Sequence, residues 1–441
     1  MVPKFRFSDP EPDDPSKPVN WRFPALIIST LFLNFQFWYA FGIVLWGSGP
    51  LLRNACVLGA GALLITALFF LGPALATQAA RRPLLGIAEI SLGSIPTFGL
   101  RLCCVLFLLG WISNLVAVPW LWWTDSMFRR QVSLTEFGLI AAGVLVFLFV
   151  TGLQSLRTSA KLALFTNKLA IAVLVAALVR VRDGWPAITR DFGDFAVLTG
   201  GSGLWQGLSL LSFSVAPLVF LAADFGQRSQ ERKQVAMIAL WGLVLPLCGT
   251  LVVVGLLAVA TFASQFYQPS LPPHIAMALW GKAAGHCLPG LMMVTAVTMF
   301  GAVRFGARAL SKSLSKLAPG RRSRWTLLGC FIGAIVWLAL QEYRKYSVPF
   351  DLSATCLAVA AAVVTADFLT ASWRVERARR VDWVGVAALL GGLASPLYLP
   401  RWVVGAGAEQ WWHPWLLPSY AVGFLLCLSG RAAQKVYLPY L

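Results

Sequence analysis

The stretch that decides the fold is FPALIISTLFLNFQFWYAFGIVLWG, residues 23–47, an apolar run with Asn34 and Gln36 near its middle. A second run, GLWQGLSLLSFSVAPLVFLAA at 203–223, is also interrupted. Its interrupting residues are two hydroxyl side chains and a proline: Ser212, Ser214 and Pro217. An unsatisfied polar group in hydrocarbon costs several kcal/mol, so such interruptions persist only where they face protein or a cavity. Paired interruptions in two halves of a chain therefore predict a binding cavity near the middle of the membrane.

The composition places the chain in a membrane. Of its 441 residues 58% are hydrophobic and 12% charged, whereas a soluble domain has roughly 25% charged residues. The apolar runs are about 20 residues long, which is the length of a membrane-spanning helix and too long for the alternating strands of a β-barrel. We therefore predict an all-α integral membrane protein.

Twelve apolar segments follow one another along the chain. We place them at 23–47, 50–76, 95–122, 134–153, 158–182, 203–223, 234–264, 286–310, 325–341, 348–371, 382–399 and 412–430. Segments 1–5 and 6–10 each begin with an interrupted run. Because each set has an odd number of segments, the two sets would be inverted in the membrane. This predicts a five-plus-five inverted repeat with two accessory C-terminal helices. The predicted parts are a disordered cytoplasmic tail (1–22), the first repeat (23–182), the second repeat (203–371), the accessory helices (382–430) and a C-terminal tail (431–441).

The positive charge is distributed unevenly between the two sides of the membrane. With the N-terminus inside, 26 of the 36 Lys and Arg residues fall on the cytoplasmic side. Cytoplasmic loops carry an excess of Lys and Arg. We therefore predict that the protein lies in the inner membrane of the cell, with both termini in the cytoplasm. The same bias explains the net charge of +18 without a nucleic-acid partner, and leaves the lipid bilayer and a small-molecule solute as the expected partners.

Several stretches resemble the nucleobase:cation symporter family, which includes purine, cytosine, allantoin and hydantoin permeases. They are LGAGALLITALFFLGPAL (58–75), RRPLLGIAEISLGSIP (81–96), Gly110-Trp111-Ile112-Ser113, AADFGQRSQERKQ (222–234) and Thr365-Ala366-Asp367-Phe368. A divergent relative in the wider amino acid–polyamine–cation superfamily is the other interpretation. The resemblance implies a LeuT-type transporter fold. It also implies a permease that imports a small planar nitrogenous solute by alternating access, with cation coupling.

The resemblance also implies a set of substrate-binding residues. Trp111 matches a tryptophan that stacks on a planar heterocycle, and Ser214 matches a serine that holds the substrate. Val215 departs from the family, which usually places an aromatic ring there, so Phe213 is the alternative. The amides of Asn34, Gln36 and Asn114 are further candidates, because planar amide edges pair well with nucleobase or ureido edges. Packing or an ordinary interhelical hydrogen bond is the competing interpretation for each.

The coupling ion stays open between sodium, a proton and none. Thr295 and Thr298 lie three residues apart, on one face of the eighth segment, and their hydroxyls suit a hard cation such as sodium. The asparagines that the family carries in this segment are missing, and helix packing is the alternative role for both threonines. No other cofactor is expected.

Three charged residues near segment ends complete the predictions. Arg304 is expected to snorkel to the membrane surface. Asp224 and Asp367 are expected to pair with Arg228 and nearby bases to fix the helix ends.

Two other functions compete with import of a planar solute. An amino-acid or amine permease would share the fold but would need a counter-ion for the ammonium group, and the sixth segment has no acid. A membrane enzyme would need clustered His, Asp or Glu near an interface, which the three scattered histidines do not offer, so no enzymatic activity is expected. A transport-inactive sensor is the remaining alternative.

Overall fold

The computed structural model describes residues 19–34, 37–38, 59–61, 63–123, 156–180, 215–263, 297–317, 347–370, 380–398 and 416–437. Every regular element in these ranges is helical. The α-helices are α1 (Arg22–Ser29), α2 (Gly72–Ala80), α3 (Leu84–Leu92), α4 (Ser94–Trp123), α5 (Leu156–Arg180), α6 (215–222), α7 (Arg232–Ile238), α8 (Leu245–Ala263), α9 (Phe300–Leu317), α10 (Ser347–Leu369), α11 (Trp383–Tyr398) and α12 (Leu416–Tyr437). A 3₁₀ segment, Ala223–Arg228, continues α6.

Helices that can span a membrane dominate these ranges. Six of them are long and apolar enough: Gly59–Ala80, Ser94–Ile112, Leu156–Val179, Arg232–Val254, Leu352–Leu369 and Leu416–Lys435. The all-α, multi-pass character predicted from composition is therefore confirmed. The predicted segments at 134–153 and 325–341 lie outside the described residues, so the count of twelve stays a prediction.

The second and seventh segments share a local irregularity. A π-helical stretch, Ala67–Leu71, precedes α2, and another, Ala239–Val244, joins α7 to α8. Each ends two residues before a proline, Pro73 or Pro246. Proline has no N–H and its ring displaces the carbonyl one turn earlier, and a wider π turn absorbs that mismatch. Because the two segments are five apart in chain order, the shared feature agrees with the five-plus-five repeat.

Other helices surround the first segment. α1 packs against α5, α9 and the stretch 239–244, while α4 packs on α9 and α10, and α11 and α12 pack together on α10. Large side chains fill the spaces between these helices, and Trp38, Phe32 and Phe69 are fully buried. The end of α1 consequently lies in the interior of the bundle.

Candidate functional site

The predicted interruption of the first segment is present in the structure. α1 ends at Ser29, residues 30–34 form a turn, and helical geometry returns at Phe37 and Trp38. The Asn34 side chain, 1% exposed, spans this break. Its Nδ2 donates to the carbonyl oxygens of Thr30 and Leu31, both at 2.8 Å, and its Oδ1 accepts the N–H of Phe37 at 3.0 Å. Since a helix end leaves its last carbonyls without intrahelical partners, Asn34 stabilises the break from within.

Two further donors converge on one carbonyl in the break. The Phe32 carbonyl oxygen accepts from Nε1 of Trp38 at 3.0 Å and from Oγ1 of Thr250 on α8 at 3.5 Å. The rings of Phe32 and Phe37 meet edge to face, with centroids 5.3 Å apart. The two hydrogen bonds satisfy a backbone carbonyl that would be costly to leave without a partner at membrane depth.

An asparagine on α5 reaches the other side of the break. Nδ2 of Asn167 donates to the carbonyl oxygen of Leu26 at 3.0 Å and to Oγ of Ser29 at 2.7 Å. Asn167 is 5% exposed, and its Oδ1 accepts no hydrogen bond from the described part of the chain. Neither contact was predicted, because nothing in the sequence pairs positions 141 or 138 residues apart.

Two glycines of α9 connect the break to Trp111. A Cβ on Gly301 would lie 2.6 Å from Cγ2 of Thr30 and from Oγ1 of Thr166. A Cβ on Gly306 would lie 2.8 Å from Cζ3 of Trp111, so the indole packs directly on the α9 backbone. Five residues of helix rise about 7.5 Å. The break and Trp111 therefore lie against the same helix, about 1.4 turns apart.

The structure describes only part of the predicted set. Trp111 is 6% exposed and Thr298, just before α9, is fully buried. Asn114 lies in α4, where the structure describes its backbone alone. The other predicted site residues lie outside the described ranges: Gln36, Phe213, Ser214 and Thr295. The second interruption, at 212–214, falls there too, whereas Pro217 lies in α6.

Arg304 does not snorkel as predicted. It is 3% exposed, and its Nε and one terminal nitrogen donate to Oγ of Ser159 on α5, both at 3.1 Å. The guanidinium is therefore enclosed in the bundle, against α5.

Asp224 pairs with a lysine of another helix. Its Oδ2 forms an ion pair with Nζ of Lys312 on α9, and its Oδ1 accepts the N–H of Leu84, the first residue of α3, at 3.0 Å. We call these three residues the Asp224 junction. Burial disfavours the charged carboxylate, but the Lys312 ammonium, the Leu84 N–H and the Arg228 charge outweigh it and lower the pKa of Asp224. Arg228 thus contributes electrostatically, while Lys312 is the ion-pair partner.

Asp367 pairs with Arg431 of α12. Nε of Arg431 donates to Oδ1 of Asp367 at 2.6 Å, and its terminal nitrogens donate to Oδ2 of Asp367, Oδ2 of Asp382 and the carbonyl oxygen of Ser91 at 3.1, 3.1 and 3.2 Å. We call these four residues the Arg431 cluster. It joins α3, α10, α11 and α12. The sequence indicated that Asp367 would find a base, but not which one.

These features define a class of fold: an all-helical membrane protein whose first segment is broken inside the bundle, as in LeuT-type secondary transporters. The chain is similar to Mhp1, a nucleobase-cation-symport-1 family transporter, in a closed conformation with bromovinylhydantoin bound, with a TM-score of 0.68 and 14% identity over 96% of this chain and 94% of that one. It is also similar to a substrate-bound, outward-open Na⁺-coupled sialic acid symporter, with a TM-score of 0.58 and 9% identity over 97% and 90%. A manganese transporter of Eremococcus coleocola gives 0.53 and 12% over 97% and 98%. The predicted LeuT-type fold is therefore confirmed, while the count of twelve helices stays a prediction.

No protein-family model matches the sequence, and no curated protein matches it significantly. At identities of 9–14% the likeness to the solved structures establishes the fold and not the solute.

Proposed function

We propose that the chain is a secondary transporter that imports a small planar nitrogenous solute, such as a nucleobase, by alternating access. The observation that carries this proposal is the broken first segment. Its break at 30–34 lies inside the bundle, between α5 and α9, and Trp111 packs on the same α9. Discontinuous helices with ends near the middle of the membrane form the solute and ion sites of such transporters.

Trp111 is the residue that favours a planar solute. Stacking on an indole is worth roughly 0.5–1.5 kcal/mol beyond burial, and the Trp111 indole lies in the interior of the bundle with only 6% of the residue exposed. Gln36, Asn114, Phe213 and Ser214 would complete the site. Asn34 contributes indirectly, because its amide already holds the break in shape. Proteins that carry sialic acid or manganese share this fold, so the choice of solute rests on Trp111 and on the sequence resemblance.

Sodium is the coupling ion that we favour over a proton. The carbonyl end of α1 is the negative end of the helix dipole, and Thr298 is fully buried just before Gly301, which packs on Thr30. Hydroxyl and carbonyl oxygens suit a hard cation, and Thr295 would add a second hydroxyl. A sialic acid symporter of the same fold is Na⁺-coupled.

The proposal includes the orientation and the parts of the chain. Both termini would lie in the cytoplasm, with the inverted repeats at 23–182 and 203–371 and the accessory helices at 382–430. The solute and the lipid bilayer would be the partners, and the chain would catalyse no chemical reaction.

Uptake by the purified protein in liposomes tests this function. Labelled cytosine, uracil, allantoin and hydantoin are offered with inward gradients of sodium, of choline or of protons. We expect sodium-driven uptake of at least one of them. Trp111→Ala should raise its KM about two- to tenfold through lost stacking, while Trp383→Ala, at an exposed tryptophan, should not. Thr298→Val should weaken the sodium dependence, with Thr158→Val on the exposed side of α5 as its control.

Three results would contradict parts of the proposal. Lack of uptake of all four solutes would contradict the planar solute, and inhibition by amino acids alone would favour an amino-acid permease. Equal uptake in sodium and choline would contradict sodium coupling.

A further inference from the structure

At the end of the bundle that holds Asp224, two groups of packed helices meet, and the Asp224 carboxylate lies between them. We call each group a body. The first body is α2 with the 3₁₀ segment Ala223–Arg228. Oγ1 of Thr77 donates to the carbonyl oxygen of Ala223 at 2.9 Å, and a Cβ on Gly226 would overlap the carbonyl oxygen of Ala74. The Arg81 guanidinium donates to the carbonyl oxygens of Gln227 and Ser229 at 3.3 and 2.6 Å. These short contacts join the segment to α2, and we treat the two as one body.

The second body consists of α3, α4 and α9. α3 runs into α4 through Gly93, whose φ of 96° is a conformation that glycine adopts without a steric cost. α4 in turn packs against α9. In the proposed transport cycle α4 and α9 belong to the scaffold, and α2 and α6 belong to the bundle that rocks against it.

Asp224 belongs to the first body, yet both of its contacts in the junction lead to the second. Its Oδ1 accepts the N–H of Leu84 and its Oδ2 pairs with Lys312. A carboxylate is favoured at a helix N-terminus, so Leu84 at the start of α3 suits it, and Lys312 adds a full positive charge. The carboxylate therefore fastens the two bodies together at this end.

The chain between the bodies has the geometry of a hinge. Only Arg81, Arg82 and Pro83 separate α2 from α3. Arg81 has a φ of 52° and a ψ of 29°, a left-handed conformation that costs an L-residue free energy. A rotation of α2 relative to α3 would change the backbone here first.

We propose that the Asp224–Lys312 pair is a latch that holds the cytoplasmic end of the transporter closed, and that inward opening breaks it by rotation about residues 81–83. This inference rests on the proposed function for its direction, since only an alternating-access protein needs to open that end. The pair is suited to repeated release because Lys312 is half exposed, with 50% of its side chain accessible against 18% for Asp224. An exposed ion pair is weak enough to break on each cycle.

The distance between the two bodies tests the latch without any solute. Nitroxide labels are placed at Glu231 and at Ser311 of α9, both exposed, on noncanonical residues that leave the native cysteines in place. Glu231 reports on the first body because Gln78 of α2 donates to the carbonyl oxygen of the adjacent Gln230. Pulsed electron–electron double resonance then gives the distribution of distances between the two labels in lipid nanodiscs. We expect Lys312→Met to raise the ratio of the long-distance to the short-distance population about two- to fivefold, the range for loss of a partly exposed pair.

Lys161→Met is the matched control, because it removes an exposed lysine of α5, a helix that contributes no residue to the junction. Asp224→Asn should reproduce Lys312→Met, and the double variant should add nothing further. Identical distributions in the wild type and in Lys312→Met and Lys161→Met would overturn the latch, as would additive shifts in the double variant. If the distances shift in a protein that takes up none of the solutes, the latch stands and the planar-solute proposal fails. If uptake occurs with unchanged distances, the transport proposal stands and the latch fails.

Discussion

The two ends of α3 are held by charged groups in opposite ways. The Asp224 junction binds its N-terminal end at Leu84, and the Arg431 cluster binds its C-terminal end at Ser91. The nine residues of α3 span roughly 13 Å, so the two sets lie close together. The side chains of Arg431, Asp367 and Asp382 are at most 7% exposed, whereas Lys312 is half exposed.

Burial decides what each set can do. In the low-dielectric interior, loss of one partner leaves an uncompensated charge. The guanidinium of Arg431 also makes four hydrogen bonds or ion pairs within its cluster. Near the surface, water replaces a lost partner and the loss is small. We conclude that α3 is fixed permanently to α10–α12 at one end and releasably to the 3₁₀ segment at the other.

The largest expected effect is on the Arg431 cluster. Arg431→Met should lower the free energy of unfolding by about 3–5 kcal/mol, because it leaves two buried carboxylates without their partner. Thermal unfolding in detergent measures this, with Arg157→Met, at an exposed arginine of α5, as the control. Adding Asp367→Asn and Asp382→Asn should restore much of the loss. Equal unfolding temperatures for Arg431→Met and Arg157→Met would show that the Arg431 cluster contributes no more to stability than an exposed arginine does.

A pair of glycines gives an intermediate effect. A Cβ on Gly385 would overlap the carbonyl oxygen of Ser91, as one on Gly226 would overlap that of Ala74. Gly385→Ala should cost about 1–3 kcal/mol of stability, the usual penalty of overpacking, since the fixed end cannot move apart. Gly226→Ala should cost a similar amount, because the overlap lies between α2 and the 3₁₀ segment inside the first body, and it should also lengthen the Glu231–Ser311 distance. The comparison would be wrong if Gly226→Ala lost more stability than Gly385→Ala and left that distance unchanged.

The smallest expected effect is the pH dependence of the Asp224 junction. The folded-state pKa of Asp224 lies below its unfolded value, so its contribution is fully present above the unfolded value and is lost as the pH falls through the folded one. The stability difference between the wild type and Asp224→Asn should thus stay constant from pH 7 to about 5 and shrink only below about 4. Denaturation at several pH values measures it. A difference that already disappears between pH 7 and 6 would show that the carboxylate is protonated too readily to hold Lys312.

The sequence by itself determined the class and the centre of the fold. Apolar runs of about 20 residues fix membrane-spanning helices because hydrocarbon excludes polar groups, and Asn34 marked the break because an amide inside such a run needs local partners. Those partners, Thr30, Leu31 and Phe37, lie within four residues, so the local pattern was sufficient to locate the break.

Only the tertiary structure decided the partners of the remaining polar groups. Asp224 meets Lys312 across 88 positions, Asp367 meets Arg431 across 64, and Arg304 meets Ser159 across 145. The sequence predicted that the acids would find bases but named Arg228, and it predicted a surface position for Arg304. Helix ends and side-chain charges are local properties, but which helices lie side by side follows from the packing of small residues such as Gly226, Gly301 and Gly385. That packing brings together residues that no spacing along the chain connects.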